Sequence, residues 1–296
     1  MSIKSARRAV LPAAIRYLNK SLRSWRRVNA VARGLGWPSP NGNPLSGSKT
    51  SDTLFVLGSG ASVLTYSEEN WRTIASCDSL GFNYWVLHPF VPSNYLFEMT
   101  KDGENLERIV HNLALRQDYR RVTVYVKDIE RFASGEVLGQ LGGVPAEIGP
   151  FHPIWDAEIP AESLEVFSQA LVSLNRFGCF SGKGPWAVPR NRATIFLAVN
   201  LAVRAGYKAV VLGGVDLNNT DYFFRMPEFA VPPNLHVPPL DQFGRIHKTN
   251  DTKYGELTIS KLLDALDRAV LQPRGVQLYV AKCSSALYPR FPAYFD

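Results

Sequence analysis

The chain has 296 residues and is short of several things. Its three cysteines, Cys77, Cys179 and Cys283, are odd in number and far apart. That argues against a disulfide framework and against a cysteine-rich zinc site. The histidines show no paired metal-ligand spacing, so zinc is not expected. No Asp-x-Asp pair occurs, which removes the common carboxylate arrangement for a nucleotide-bound divalent metal. A Gly-x-Ser-x-Gly elbow is missing too, and Gly182-Lys183-Gly184 lacks the spacing of a phosphate-binding P-loop. No apolar run reaches the length a membrane-spanning helix needs.

Acidic residues are missing from one region only. Residues 1–51 carry ten Lys and Arg and no Asp or Glu, and the remainder carries 23 basic and 26 acidic residues. The formal charge of +7 therefore divides into a basic arm and a slightly acidic body. A whole-surface nucleic-acid binder would carry its positive charge on the folded domain, so no nucleic-acid partner is expected. Hydrophobic residues make up 46% of the chain, enough for a packed core and too many for a disordered one.

Residues 1–33 have helical periodicity. Val10, Leu11, Ile15, Leu18, Leu22 and Trp25 recur mostly at steps of three or four, with Arg16, Lys20, Arg23, Arg26 and Arg27 beside them. A basic amphipathic helix with a Trp fits an anionic membrane surface. Two other readings stand beside it: a helix docked on the body, and an acid-free organellar targeting segment. Residues 34–51 are rich in Gly, Pro, Ser and Asn and read as a linker. The body is expected to start near Asp52 and to run as one domain over residues 52–296.

Strand-like and helix-like segments then alternate. Strands are expected at 53–57, 79–85, 94–97, 121–126, 208–212 and 276–280, with helices at 67–76, 104–116, 162–176, 192–205 and 257–270. This alternation predicts an α/β, Rossmann-like fold: a mainly parallel sheet with helices on both faces. Residues 135–160 look like a long surface excursion. Residues 219–253 also lack periodicity, and a loop that long in a compact domain suggests a lid.

Four segments could carry chemistry. Gly58-Ser59-Gly60-Ala61-Ser62 follows the first strand; glycines there would let backbone approach a ligand phosphate. The third glycine of the dinucleotide fingerprint is absent, since position 63 is Val. A tight strand-to-helix turn explains the same residues. Asn83 closes the second strand, where open α/β sheets bind ligands. Gly213-Gly214-Val215-Asp216 closes the strand at 208–212; Asp216 could instead cap a turn. His247, between Ile246 and Lys248 in the expected lid, could move a proton near neutrality or be incidental.

In this order the four segments resemble the bacterial sialyltransferase family that decorates lipooligosaccharides, with its relatives in surface-glycan synthesis. That family opens on a strand and a Gly-Asn-Gly-Pro-Ser-Leu turn that holds the CMP part of the donor; Gly58, Ser59, Gly60, Ala61, Ser62 and Val63 stand there in this chain. Its next strand ends in a donor-contacting Asn, matched by Asn83. Its Gly-Tyr-Lys strand ending in Gly-Ile-Asp is matched by Gly206-Tyr207-Lys208 and Gly214-Val215-Asp216, and Ser285-Ala286-Leu287 with Pro292 matches its end. The likeness covers about residues 52–98 and 180–296.

The resemblance implies a glycosyltransferase that takes an acidic sugar from a CMP-linked donor and needs neither metal nor cofactor. It implies His247 as the base on the acceptor hydroxyl, and Tyr222 and Lys248 at the departing phosphate. Arg190 or Arg192 would pair with the sugar carboxylate, and Asp216 would be the nucleophile if the outcome were retaining. Two departures bear on the donor. Ser59 replaces an Asn, and Arg190, Arg192 and Thr194 stand where the family has a Ser-Gly pair, which opens the donor to Kdo as well as sialic acid. The acceptor would be a bacterial surface glycan or glycolipid, met at the inner face of the cytoplasmic membrane. An NAD(P)-dependent oxidoreductase and a non-catalytic scaffold are the competing readings.

Overall fold

The computed structural model describes residues 3–99, 103–129, 151–182, 184–239 and 244–295, with side chains from residue 13 onward. Helix α1 (Ile3–Gly34) comes first. There follow β1 (Thr53–Leu57), α2 (Glu68–Ala75), β2 (Asp78–Phe82), β3 (Asn94–Glu98), α3 (Gly103–Leu115) and β4 (Thr123–Lys127). Next are β5 (Phe151–Pro153), β6 (Asp156–Glu158), α4 (Leu164–Arg176), β7 (Val188–Arg190) and α5 (Thr194–Ala205). The chain closes with β8 (Ala209–Gly213), α6 (Ile259–Leu266) and β9 (Gln277–Val280).

Seven strands form one parallel sheet in the order β5-β4-β3-β2-β1-β8-β9. Parallel strands buried on both faces read as continuous apolar runs, and Leu54 to Leu57 of β1 are all inaccessible. The pleat sends alternate side chains to opposite faces. Leu54, Val56, Val210 and Leu212 join one core with α4, α5 and α6. Phe55, Leu57 and Val211 join a second core with Ile74 of α2 and Leu106, Ile109 and Leu113 of α3. Helices on both faces follow, as the alternation predicts. After β1 the chain steps outward through β2 to β5, then returns to β8 on β1's other side. That reversal puts a crevice at the carboxyl ends of β1 and β8.

Three segments differ from expectation. The expected excursion at 135–160 contributes β5 and the short β6, which pairs with β7; its part up to residue 150 lies outside the described residues. The expected strand at 79–85 stops at Phe82, because Asn83 takes a left-handed φ of 52° and the chain turns into a 3-10 segment. Residues 34–51 are packed rather than a free linker: Leu45 is fully buried, Ser48 Oγ donates to Asn94 Oδ1 at 2.9 Å, and Arg204 donates to the Gly42 carbonyl at 2.7 Å.

The basic arm is docked, and by a different face from the expected apolar one. Ala13, Ala14, Tyr17, Ser21, Ser24, Val28 and Ala32 are buried, while Ile15, Leu22 and Trp25 are 48%, 54% and 39% exposed. Val10 and Leu11 lie outside the described side chains. The reason is the partner. The helix crosses the small β6–β7 pair, whose backbone groups need hydrogen bonds, and small hydroxylic residues allow a close approach. Tyr17 Oη donates to the Ala187 carbonyl at 2.6 Å, Ala187 N–H to Ser21 Oγ at 2.6 Å, and Ser24 Oγ to the Asp156 carbonyl at 2.9 Å. Arg16–Glu162 and Lys20–Glu158 pairs lie at the exposed rim and add little. Among the described residues no helix is long and apolar enough to cross a membrane. Tyr17→Ala empties a fully buried aromatic site and is expected to cost about 3–5 kcal/mol in chemical denaturation; an unchanged midpoint would show that the docked helix is dispensable.

Candidate active site

The site starts from two loops at the crevice. The loops after β1 and β8 cross so closely that side chains are excluded. A Cβ on Gly58 would lie 2.7 Å from the Gly214 carbonyl oxygen, and one on Gly214, whose φ is +61°, would lie 2.2 Å from the Gly58 carbonyl oxygen. Only glycine fits such a crossing. The contact lets Gly58 N–H donate to Gly213 at 2.7 Å and Gly60 N–H donate to Gly214 at 2.8 Å. This corrects the expected use of the glycines: they admit a neighbouring loop, and their N–H groups are spent on it rather than left for a phosphate.

Asp216 closes the junction. Its Oδ1 accepts from Ser62 Oγ at 2.5 Å and its Oδ2 accepts from Ser62 N–H at 3.0 Å. Burial pushes its carboxyl above the usual range and the two bonds from Ser62 oppose this. With both oxygens held, Asp216 is a clamp; the arrangement gives no support to a nucleophile at this position.

The expected lid is bonded into the same junction. Gly60 forms an isolated antiparallel bridge with Tyr222; Ala61 N–H donates to Asp221 at 2.9 Å and Phe223 N–H donates to Ser59 at 3.0 Å. His247 N–H donates to the Leu217 carbonyl, one residue beyond Asp216, at 3.3 Å. The His247 ring is held through Nδ1, 2.7 Å from Thr249 Oγ1. Burial, then the charge of Lys248, lowers its pKa below 6.5. Tyr222 stacks flat on Phe224, and burial raises its hydroxyl pKa. Residues 240–243 of the expected lid lie outside the described residues.

Four polar groups at this edge have no partner among the described residues: Ser59 Oγ, the Asn83 amide, Tyr222 Oη and His247 Nε2. They come from two strand ends and the lid. The loops that carry them thus offer an acid–base group, hydroxyls and an amide that both gives and accepts hydrogen bonds, chemistry suited to a polar ligand and a proton transfer.

The other expected site residues have different work. Arg190 is half-buried between carboxylates, with Nη2 3.1 Å from Asp128 Oδ1 and Nε 2.7 Å from Asp156 Oδ1. Its charge is already matched, so the expected pairing with a sugar carboxylate finds no support. Arg192 donates to the backbone carbonyls of Lys248, Thr249, Asp251 and Tyr254. Thr194, the first residue of α5, donates to Glu98 Oε2 at 2.9 Å. Lys248 is exposed beside His247.

A buried ion network escaped the sequence reading. Lys127 pairs with Glu98 and Asp128 at 3.0 Å each, and Arg190 continues the chain to Asp156. Burial, then the charge of Asp128, pushes the Asp156 carboxyl up to about 6. Glu98, Lys127 and Asp128 sit at the carboxyl ends of β3 and β4. The strand-end rule that singled out Asn83 would have found them. Among the described residues no three His, Cys, Asp or Glu side chains gather as a metal-binding group.

No family model matches the chain, and no curated protein matches its sequence. Among solved structures it is similar to the monofunctional alpha-2,3-sialyltransferase Cst-I from Campylobacter jejuni, at 14% identity, covering 83% of this chain and 82% of that one with a TM-score of 0.44. It is also similar to the sialyltransferase CstII from Campylobacter jejuni bound to CMP-3FNeuAc, at 13% identity over 81% of this chain and 85% of that one, TM-score 0.43. The sialyltransferase CST-II with trisaccharide acceptor and CMP is similar at 13% identity over the same shares, TM-score 0.41.

The clamp makes a testable distinction. Asp216→Ala strands the Ser62 N–H and is expected to lose about 1–3 kcal/mol of stability. Asp216→Asn keeps one acceptor oxygen and is expected to lose less. Equal losses in urea unfolding would count against a clamp.

Proposed function

We propose that the chain is a glycosyltransferase. It moves an acidic sugar of the sialic acid or Kdo type from a CMP-linked donor to a hydroxyl of a bacterial surface glycan or glycolipid, without a metal. One observation carries the reading: the lid residues Tyr222 and His247 are bonded into the same loop junction, Gly58–Ser62 against Gly214–Asp216, that the sequence resemblance assigns to the CMP end of the donor.

The chemistry follows from the free groups. Ser59 and Asn83 hold the nucleotide end by hydrogen bonds. Cleavage of the bond between the anomeric carbon and the phosphate oxygen leaves CMP with the electron pair and an oxocarbenium-like sugar whose carboxylate tempers the positive charge. Tyr222 Oη and the Lys248 ammonium meet the departing phosphate, where preorganised donors count most. The acceptor hydroxyl adds to the anomeric carbon and gives its proton to His247 Nε2. Base action requires the tautomer in which Nδ1–H donates to Thr249 Oγ1 at 2.7 Å, in place of the longer contact from Thr249 N–H to Nδ1 at 3.4 Å, so that the lone pair lies on Nε2. A ring with a lowered pKa is neutral, and so competent as a base, at neutral pH.

Work at the inner face of the cytoplasmic membrane is part of the proposal. The outward side of α1 offers Ile15, Leu22 and Trp25 beside Arg23 and Arg26, with no acidic side chain in residues 1–51. Such a face suits an anionic lipid surface, each cation near it contributing about 1 kcal/mol. Binding to phosphatidylserine-containing vesicles in sedimentation is expected to fall with salt and in Leu22→Glu. Equal binding to neutral vesicles would remove the charge argument.

Purified protein is expected to release CMP from CMP-sialic acid or CMP-Kdo, unaffected by EDTA; no release from either, or a strict metal requirement, would sink the reading. His247→Ala should lower turnover about 10²–10⁴-fold with CMP affinity kept. Because the ring must be neutral and its pKa lies below 6.5, turnover should hold through neutrality and fall only on the acid side of 6.5. Lys248→Ala removes one cause of the lowering and should move that acid limb upward. An acid limb already above 6.5 in the wild type would disqualify His247 as the base.

A further inference from the structure

Arg192 has a left-handed φ of 60°, a conformation that a non-glycine residue keeps only when its surroundings impose it. Its neighbours hold it there. Ala193 N–H donates to the Asn191 carbonyl at 2.6 Å. The Asn191 amide bonds Ile159 in both directions, accepting from its N–H at 3.2 Å and donating to its carbonyl at 3.0 Å. The backbone is therefore over-determined, and the guanidinium projects into the coil after His247.

There it does what no other side chain of the described residues does for this loop: it gathers four carbonyls. Nη1 donates to Tyr254 at 2.6 Å, Nη2 to Lys248 at 3.1 Å and Asp251 at 3.4 Å, and Nε to Thr249 at 3.4 Å. Two of these residues directly follow His247, and Thr249 is the one whose hydroxyl grips the imidazole. The loop is also tied to α6, by Ser260 Oγ to Asn250 Oδ1 at 2.5 Å and by Ile259 N–H to the Thr249 carbonyl at 2.9 Å. Gly255, the next residue, takes a φ of +125° with the Arg192 Nη1 atom 3.4 Å from where its Cβ would be, so the coil closes around the guanidinium.

We infer that Arg192 is a positioning residue for the transfer reaction: its planar fork holds the carbonyls that flank His247 and so sets where the imidazole meets the acceptor hydroxyl. The inference rests on His247 being the base. It assigns Arg192 to the rate of transfer rather than to the donor's affinity, in place of the carboxylate contact that the resemblance implied. Arg suits the task and Lys does not, because three guanidinium nitrogens share four carbonyls, which a fork can reach and a point charge cannot.

The test is made on the full chain with CMP-sialic acid and CMP-Kdo as donors and water as acceptor. Arg192→Ala is expected to lower kcat about tenfold to a hundredfold, the scale of a misplacement near 1 Å, with KM for the donor changed less than about threefold. Arg192→Lys should recover only part of the loss. In hydrogen exchange, amides of residues 247–255 should exchange faster in Arg192→Ala while those of 54–57 are unchanged. Ser260→Ala, which removes only the hydroxyl bond to Asn250, should alter kcat less than Arg192→Ala. Unchanged exchange at 247–255, or a loss that lies in KM, overturns the inference. If the wild type releases no CMP from either donor, the proposed function fails while the exchange measurement still decides whether Arg192 holds the loop.

Discussion

The crossing of the two glycine loops at the carboxyl ends of β1 and β8 is the contact on which the site depends. Gly58 and Gly214 pass within a distance that excludes a Cβ on either, and each side donates or accepts at the other's backbone. Asp216 then locks the crossing through Ser62. Two of the groups that could act on a ligand are referred to this knot: Tyr222 through its bridge to Gly60, and His247 through Leu217, the residue after Asp216. A sheet reversal creates the crevice. The knot decides which side chains are left facing it.

Much of this was legible in the sequence, and the failures have physical causes. The strands were readable because a parallel sheet buried on both faces demands unbroken apolar runs. That Asn83 and the Gly214–Asp216 segment follow strand ends was readable because the apolar runs stop there. The purpose of the glycines was not. A glycine reports that something comes close, and its neighbours in sequence do not say whether that is a phosphate or another loop. The partners of Arg190 and Arg192 were unreadable for a related reason. These, Asp156 and the 248–254 coil, lie 34 and 56 or more positions away. The charge of an arginine shows in sequence, but the groups already satisfying it do not.

The arm shows how periodicity can mislead. Ile15, Leu22 and Trp25 form the face that apolar spacing selects, yet small and hydroxylic residues do the docking. Close approach to backbone that needs hydrogen bonds outweighed the burial of larger side chains. Burial on the opposite side is what keeps the apolar residues and their arginines available.

The segment around Gly42 carries a further consequence. Arg204, in the last turn of α5, donates to the carbonyls of Gly42, Cys179, Trp186 and Ala187, so one guanidinium is solvated by backbone in place of water. Its separation from Gly42 is 162 positions, and Tyr17 lies 170 from its own partner, Ala187. Contacts so distant along the chain are closed late. Helix α1 precedes its seat in the chain, and the backbone groups of Asp156 and Ala187 that receive it do not exist until the ribosome has delivered the chain through residue 187. Until then the nascent chain carries a basic helix with nowhere to dock.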